Sequence, residues 1–288
     1  MRAISILLLV GCASPHPVTA VDAPSPSGAG DSPTDTNPTS PGRVLRALDG
    51  AATIAADWSA SENGETFATV KDGNPQMPSV VLDEVLRQVL SITVPTDTSG
   101  HKQRFEWKIL QASDPDGLHF DNARYAGFQV QLPASPAPFL GSAIIWQAWQ
   151  GYPYGPPVSL KMATGSASPY RMRLSIRNST VGPDSTVPDI EVWNGAVLDP
   201  GTWHAFLIYV EPRFAGGGAL KLWIDGTKVL DWTGAIGYDP SQIAGAYGGL
   251  DIKDGIYQPD ANNGHTFLFD HVVVTTSYAA AAHALGWQ

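Results

Sequence analysis

The feature that most restricts this chain is an alternation of apolar and polar side chains, renewed in segment after segment between residues 85 and 275. In Arg104-Phe105-Glu106-Trp107-Lys108-Ile109 every second residue is large and apolar. Successive side chains of a strand point to opposite faces, so this period of two is the mark of a half-buried strand. Leu90, Ile92 and Val94 repeat it, as do Met172, Leu174 and Ile176. No comparable helical period precedes the C-terminal tail. The 29 glycines and 24 prolines are scattered, which suits many short strands joined by turns. The pattern predicts an all-β fold, a β-jelly roll or concanavalin-like sandwich of two antiparallel sheets.

The 288 residues suffice for one large domain with extensions, and the formal net charge is −10. An acidic balance argues against general nucleic-acid binding, which needs excess positive charge. It leaves room for an anionic sugar polymer if cations gather in one cleft. The single cysteine, Cys12, rules out a disulfide within the chain and a cysteine-held zinc. Met1-Arg2 and the short apolar run Ala3 to Val10 read as an export signal, too short to span a bilayer. Leu9-Val10-Gly11-Cys12 resembles a bacterial lipobox, so lipidation of Cys12 is expected. Residues 13–41 are mostly Pro, Ser, Thr, Asp, Gly and Ala with little to bury. The expected organisation is a signal peptide at 1–11, a disordered tether at 12–41 and a folded domain at 42–288. The expected protein is an exported, monomeric lipoprotein of the cell envelope, at the outer membrane or cell surface, touching the membrane only through its lipid.

Further strands are expected at 125–132, 143–149, 203–210, 220–224, 227–232 and 265–275. Asp225-Gly226 is a hairpin signal, Gly216 to Gly218 reads as a turn, residues 236–247 read as a loop, and 278–288 as a short helix or frayed tail. The stretch Tyr247 to Asp260 is the most informative. As a strand it sets Leu250, Ile252 and Ile256 towards a core, and Asp251, Lys253, Gly255 and Tyr257 outwards. The glycine between Lys253 and Tyr257 leaves room for a group lying close against the backbone.

Four strands thus carry polar groups outwards: Arg104 and Glu106; Gln147 and Trp149; Arg171, Arg173 and Arg177; Lys253 and Tyr257. Each alone reads as an ordinary solvated face, and an Arg/Glu pair two apart as a weak surface ion pair. On one sheet they would make a groove suited to a uronic-acid polymer. Cations would meet carboxylates, an indole would stack on a sugar ring, and an amide would meet hydroxyls.

Arg104-Phe105-Glu106, then Ile145-Trp146-Gln147-Ala148-Trp149, then Lys253-Asp254-Gly255-Ile256-Tyr257-Gln258 resemble the ordered motifs of jelly-roll polysaccharide lyases. Alginate lyases of this fold carry Arg-x-Glu, Gln-x-His and Lys-x-Gly-x-Tyr-x-Gln. Tyr125-Ala126-Gly127-Phe128 and Leu222-Trp223-Ile224-Asp225-Gly226 are more similar to the heparin lyase I and glucuronan lyase group. The resemblance implies cleavage of a uronic-acid-containing polysaccharide by β-elimination. Tyr257, Gln147 and Arg104 would be catalytic; Lys253, Glu106, Trp149, Arg171 and Arg173 would bind substrate. An anionic polysaccharide is the implied partner and no cofactor is required. The loop Asp260 to Gly264 has oxygen ligands for calcium without a recognisable spacing, and reads as a turn. Asp239 and Asp254 are weaker substrate contacts.

The chain departs from the motifs at the base. Trp149 stands where the histidine of Gln-x-His belongs, with Gln150 beside it, and neither takes a proton near neutral pH. Three outcomes follow: Tyr257 serves as both base and acid, another histidine such as His119 or His101 reaches in, or the protein is a non-catalytic, lectin-like carbohydrate-binding module. A surface protein with no glycan role is a further reading.

Overall fold

The computed structural model describes residues 42–287 except 86, 98, 135–141, 152–154, 166–167, 180–186, 243–246 and 259–263. Cys12, the 12–41 segment and the calcium-like Asp260 to Asn263 lie outside the described residues.

The chain forms strands almost throughout. The first group is β1 (Val44–Leu48), β2 (Thr53–Ile54), β3 (Ala60–Glu62), β4 (Glu65–Phe67), β5 (Thr69–Asp72) and β6 (Ser79–Leu82). There follow β7 (Gln88–Val94), β8 (Gln103–Leu110), β9 (Leu118–His119), β10 (Arg124–Gln131) and β11 (Ser142–Trp149). Next come β12 (Val158–Gly165), β13 (Ser168–Ile176), β14 (Asn178–Ser179), β15 (Ile190–Val197) and β16 (Trp203–Glu211). The last are β17 (Arg213–Ile224), β18 (Thr227–Tyr238), β19 (Gly249–Gln258), β20 (His265–Thr275) and the helix α1 (Tyr278–Ala284).

Two large sheets face each other. The front sheet runs β15-β13-β12-β11-β19-β8-β5, with β9 also paired to β19. The back sheet runs β14-β18-β17-β16-β10-β20-β7-β6, with β1 on β20. A small sheet, β2-β3-β4, stands apart. Neighbours such as β11-β19-β8 are far apart in sequence, the crossed connection of a jelly roll. Phe105, Trp107, Ile145, Trp146, Ile252 and Ile256 of the front sheet share one core with Leu90, Ile92, Phe128, Phe206, Phe267 and Phe269 of the back sheet. The alternation therefore does what it predicts: one face of each sheet is buried, and the front sheet's other face is left for chemistry.

Local departures have physical reasons. Gly216 to Gly218 do not turn the chain. They lie within β17, two of them at positive φ, where the register to β18 slips between Arg213 and Gly218, so the run is a bulge. The β18 strand continues through Tyr238, into the stretch read as a loop. Asp225 and Gly226 have φ of 50° and 80°, the two positive values of a tight hairpin turn. The tail is helical, opened by Ser277, whose side chain accepts from the Ala280 amide.

Candidate active site

Sheet register assembles the outward face of the front sheet into rows. One row crosses seven strands: Asp72, Arg104, Tyr257, Ile144, Lys161, Arg173 and Asn194, each paired with the next. A second reads Lys108, Lys253, Gln147, Ser159 and Ser175. One irregularity in β11 brings the rows into phase. The β11 register slips between Ile144 and Trp146 against both neighbours. Ile145 and Trp146 therefore both enter the core, while Ile144 and Gln147 stay outside.

Gly255 sits between the rows, opposite Glu106, with φ of +141°. A Cβ there would lie 2.3 Å from the Phe105 carbonyl oxygen and 2.7 Å from the Glu106 Cα. The sequence suggested that this glycine opens space for a ligand. The space is taken by the backbone of β8, and the glycine is needed to let the two strands close.

A buried polar chain lies under the surface. Glu106 is fully buried and Gln147 is 1% exposed. The Gln147 amide donates to one Glu106 oxygen and the Arg104 Nε donates to the other. That grip leaves the NH1/NH2 end of Arg104 directed elsewhere; NH1 lies 3.8 Å from Asp72. The Arg104 guanidinium stands 4.9 Å from the centre of the Tyr257 ring, and the Lys102 ammonium 5.8 Å from it. Tyr257 is the partly exposed residue of an otherwise buried strand.

Lys253 is expected at the substrate surface, yet it is 1% exposed. Its ammonium lies 3.5 Å from the centre of the Trp149 ring, which covers it. Burial pushes Lys253 down to about 8, partly offset by the charge of Glu106. Trp149 in turn meets the Tyr247 ring edge-on at 5.9 Å. Asp254, weighed as a substrate contact, faces the core beside its register partners Trp107 and Trp146. It is 2% exposed, and burial, reinforced by the charge of Glu106, raises its pKa well above the ordinary value and so favours the neutral acid. Asp239 serves its own turn, accepting from the Ser241 amide and hydroxyl.

On the far side of the row, Lys161 pairs with Asp189, and Arg177 approaches the same carboxylate at 3.5 Å. Arg173 faces Glu191 at 3.4 Å, and Arg171 is exposed. Ser142, Lys161, Arg173, Ser175, Asp189 and Glu191 line a pocket of about 190 Å³.

The family profile described as Polysaccharide lyase matches residues 90–273, well over half of the chain and most of the two sheets. The chain belongs to the polysaccharide lyase family. It is an enzyme, a lyase of polysaccharide degradation on a jelly-roll scaffold. Among solved structures it is similar to the endo-β-1,4-glucuronan lyase of the fungus Trichoderma reesei. The two are 18% identical, with a TM-score of 0.56 over 74% of this chain and 91% of that one. An alginate lyase from Chlorella virus, vAL-1, is 10% identical, with a TM-score of 0.45 over 70% and 89% of the two chains. No curated protein matches the sequence.

Register and contacts place Arg104, Glu106, Gln147, Trp149, Lys253 and Tyr257 of this lyase in one cluster, with Arg173 at the far end of the Tyr257 row. Neither histidine joins them. His101 is exposed, 2.7 Å from the Ser99 hydroxyl and 3.6 Å from Asp97. His119 stands opposite Gly249, eight residues along β19 from Tyr257, roughly 26 Å at about 3.3 Å per residue. Gln150 is buried, holding the Tyr238 backbone with both ends of its amide. The lyase face also contains Lys161 and Lys102, which motif reading passed over. The alternation in Val158-Ser159-Leu160-Lys161-Met162 would have set Lys161 outwards; it matched no motif and so drew no notice.

Proposed function

We propose that this lyase cleaves a uronic-acid-containing polysaccharide by β-elimination, with Tyr257 as the proton donor to the leaving oxygen. The observation that carries the reading is the alignment of Tyr257 and Arg104 side by side on an open sheet face, with Arg104 fixed from below by Glu106 and Gln147. Elimination at a uronate makes three demands. The carboxylate must be neutralised so that charge building at C5 can spread into it, the C5 proton must be removed, and the oxygen at C4 must receive a proton. Arg104 serves the first demand with the NH1/NH2 edge of its guanidinium, which Asp72 approaches at 3.8 Å, a geometry matched to a carboxylate. Glu106 and Gln147 are positioning residues: a charge-assisted hydrogen bond at Nε holds the fork so that little reorganisation is left for the reaction. Tyr257 carries an exchangeable proton at the edge of that fork. Trp149 offers its outer face as a platform for a neighbouring sugar ring, with Lys253 behind it. Arg171 and Arg173 meet further carboxylates along the polymer.

The test is direct. The protein is incubated with a panel of polyuronates and glycosaminoglycans while the ultraviolet absorbance of an unsaturated uronate is followed. At least one polymer should give product, and Tyr257→Phe should lower kcat by roughly 10²- to 10⁴-fold, the usual worth of a positioned proton donor. Binding without product from any polymer would overturn the reading.

A further inference from the structure

We propose, resting on the β-elimination reading above, that Lys102 and Arg104 form one notch for the uronate carboxylate beside Tyr257, and that Asp72 fills this notch in the free enzyme until the substrate's carboxylate displaces it.

One atom marks the notch. Asp72 Oδ2 lies 2.9 Å from the Lys102 ammonium and 3.8 Å from Arg104 NH1, so a single carboxylate oxygen is shared by both cations. The same two cations stand 5.8 Å and 4.9 Å from the centre of the Tyr257 ring. A carboxylate is thus already seated where two cations and a phenol meet. A uronate carries its carboxyl on C5, next to the carbon that bears the leaving oxygen. Its carboxylate in the notch brings that oxygen towards the Tyr257 hydroxyl. A neutral sugar has nothing with which to displace Asp72, so the notch selects a charged residue at this position.

The fold holds Asp72 there by its backbone. Asp72 ends β5, the edge strand of the front sheet, and is the register partner of Arg104. The turn after it is fastened to the start of β8. Gly73 has φ of 71°, and a Cβ there would lie 2.5 Å from the Lys102 carbonyl oxygen. The buried Gln103 accepts from the Asn74 amide at 2.8 Å and donates to Asp97 at 3.0 Å. Only the Asp72 side chain has to turn for the notch to open, and exposed side chains change rotamer in picoseconds to nanoseconds.

The two ends of the Arg104 fork are held unequally. Fully buried Glu106 grips Nε. Asp72 meets NH1 beyond hydrogen-bond distance. The side chain of Asp72 is 37% exposed and that of Lys102 42%, and ion pairs this open to water are weak. A uronate carboxylate that reaches both cations makes charge-assisted hydrogen bonds to them while its ring excludes water, and it wins the exchange. The other cations of the row are engaged on the side away from the phenol. Lys161, which burial lowers to about 8, pairs with Asp189, and Arg173 faces Glu191.

Three variants of the full chain test this: Asp72→Asn, Lys102→Gln and, as a control for net charge, Asp231→Asn on the back-sheet strand β18. Each is assayed by the unsaturated product on a polymer that wild type cleaves. Asp72→Asn should lower KM about 3- to 10-fold, the worth of two weak ion pairs, with kcat within about twofold of wild type. A damaged fold does not lower KM. Lys102→Gln should raise KM by a similar factor, and Asp231→Asn should change neither constant. A KM for Asp72→Asn at or above the wild-type value, a wild-type KM for Lys102→Gln, or an equal fall in KM from Asp231→Asn would each overturn the assignment. Wild-type enzyme that yields no unsaturated product from any polymer defeats the β-elimination reading and this proposal together; product from wild type with no fall in KM in Asp72→Asn defeats this proposal alone.

Discussion

Lys253 is a lysine whose charge the fold tolerates at a cost, and replacing it with methionine should make the protein more stable near neutral pH. Lys253 is 1% exposed, and its pKa falls from 10.5 to about 8. At about 1.4 kcal/mol for each tenfold change in proton affinity, the folded state disfavours the ammonium by about 3 kcal/mol. The attraction of Glu106 is already contained in that balance. Between pH about 8 and 10.5 the unfolded chain holds more protons at this lysine than the folded one, so wild-type stability rises with pH across that window. Lys253→Met lacks the titration. Its advantage over wild type should be about 3 kcal/mol at pH 7 and should shrink towards zero by pH 10.5. Urea unfolding of both proteins at the two pH values measures it, and taking the difference cancels the parallel titration of Lys161. A methionine variant less stable than wild type at pH 7, or an advantage that does not shrink as pH rises, would refute the reasoning.

Two other substitutions probe the same strand. Gly255→Ala should cost about 2–6 kcal/mol, from forcing a side chain to positive φ and from overpacking against the β8 backbone. It should also lower kcat about 100-fold by moving Tyr257 off line; wild-type unfolding midpoint and kcat would show that the strands part without strain. Asp254 has a folded pKa raised above its unfolded value, so its stabilising contribution is present below pH about 4 and is lost as pH rises towards the folded value. Asp254→Asn should therefore gain on wild type progressively above pH 4 in urea unfolding, and a difference independent of pH would count against a neutral buried carboxyl.

The alternation around Phe105, Trp107, Met172 and Leu174 was enough to read two buried sheet faces, because one residue of slip would have exposed them all. Ordered motifs placed Arg104, Gln147 and Tyr257 on strands, but not on neighbouring strands; that depends on crossed pairing, which is a property of the whole topology. Burial within the outward face was not legible. Polar residues at positions 106, 147 and 253 read as solvated, since alternation distinguishes faces and says nothing about what another side chain covers. Trp149 read as a missing base, and its position over Lys253 emerges only from side-chain packing. Asp254 was misread for a related reason: a carboxylate in a motif reads as a ligand contact, while strand parity with Ile252 and Ile256 sends it inwards. Lys161 obeyed the alternation and was overlooked for want of a motif around it.

The indole over Lys253 has a consequence for how the enzyme meets a polyanion in a salty medium. With a formal net charge of −10 the protein repels such a polymer at long range, and attraction depends on local cations acting within a Debye length of about 8 Å at physiological ionic strength. Arg171, Arg173 and Lys102 stand where dissolved counter-ions can compete for them. Lys253 does not: no ion from the medium can sit between it and the ring above. For a sugar stacked on Trp149, as proposed above, the field of Lys253 arrives through the indole alone. On the proposed reading, rising salt should loosen the polymer's hold at the margins of the sheet while the centre keeps its electrostatic character, so ionic strength should govern capture more than events at Tyr257.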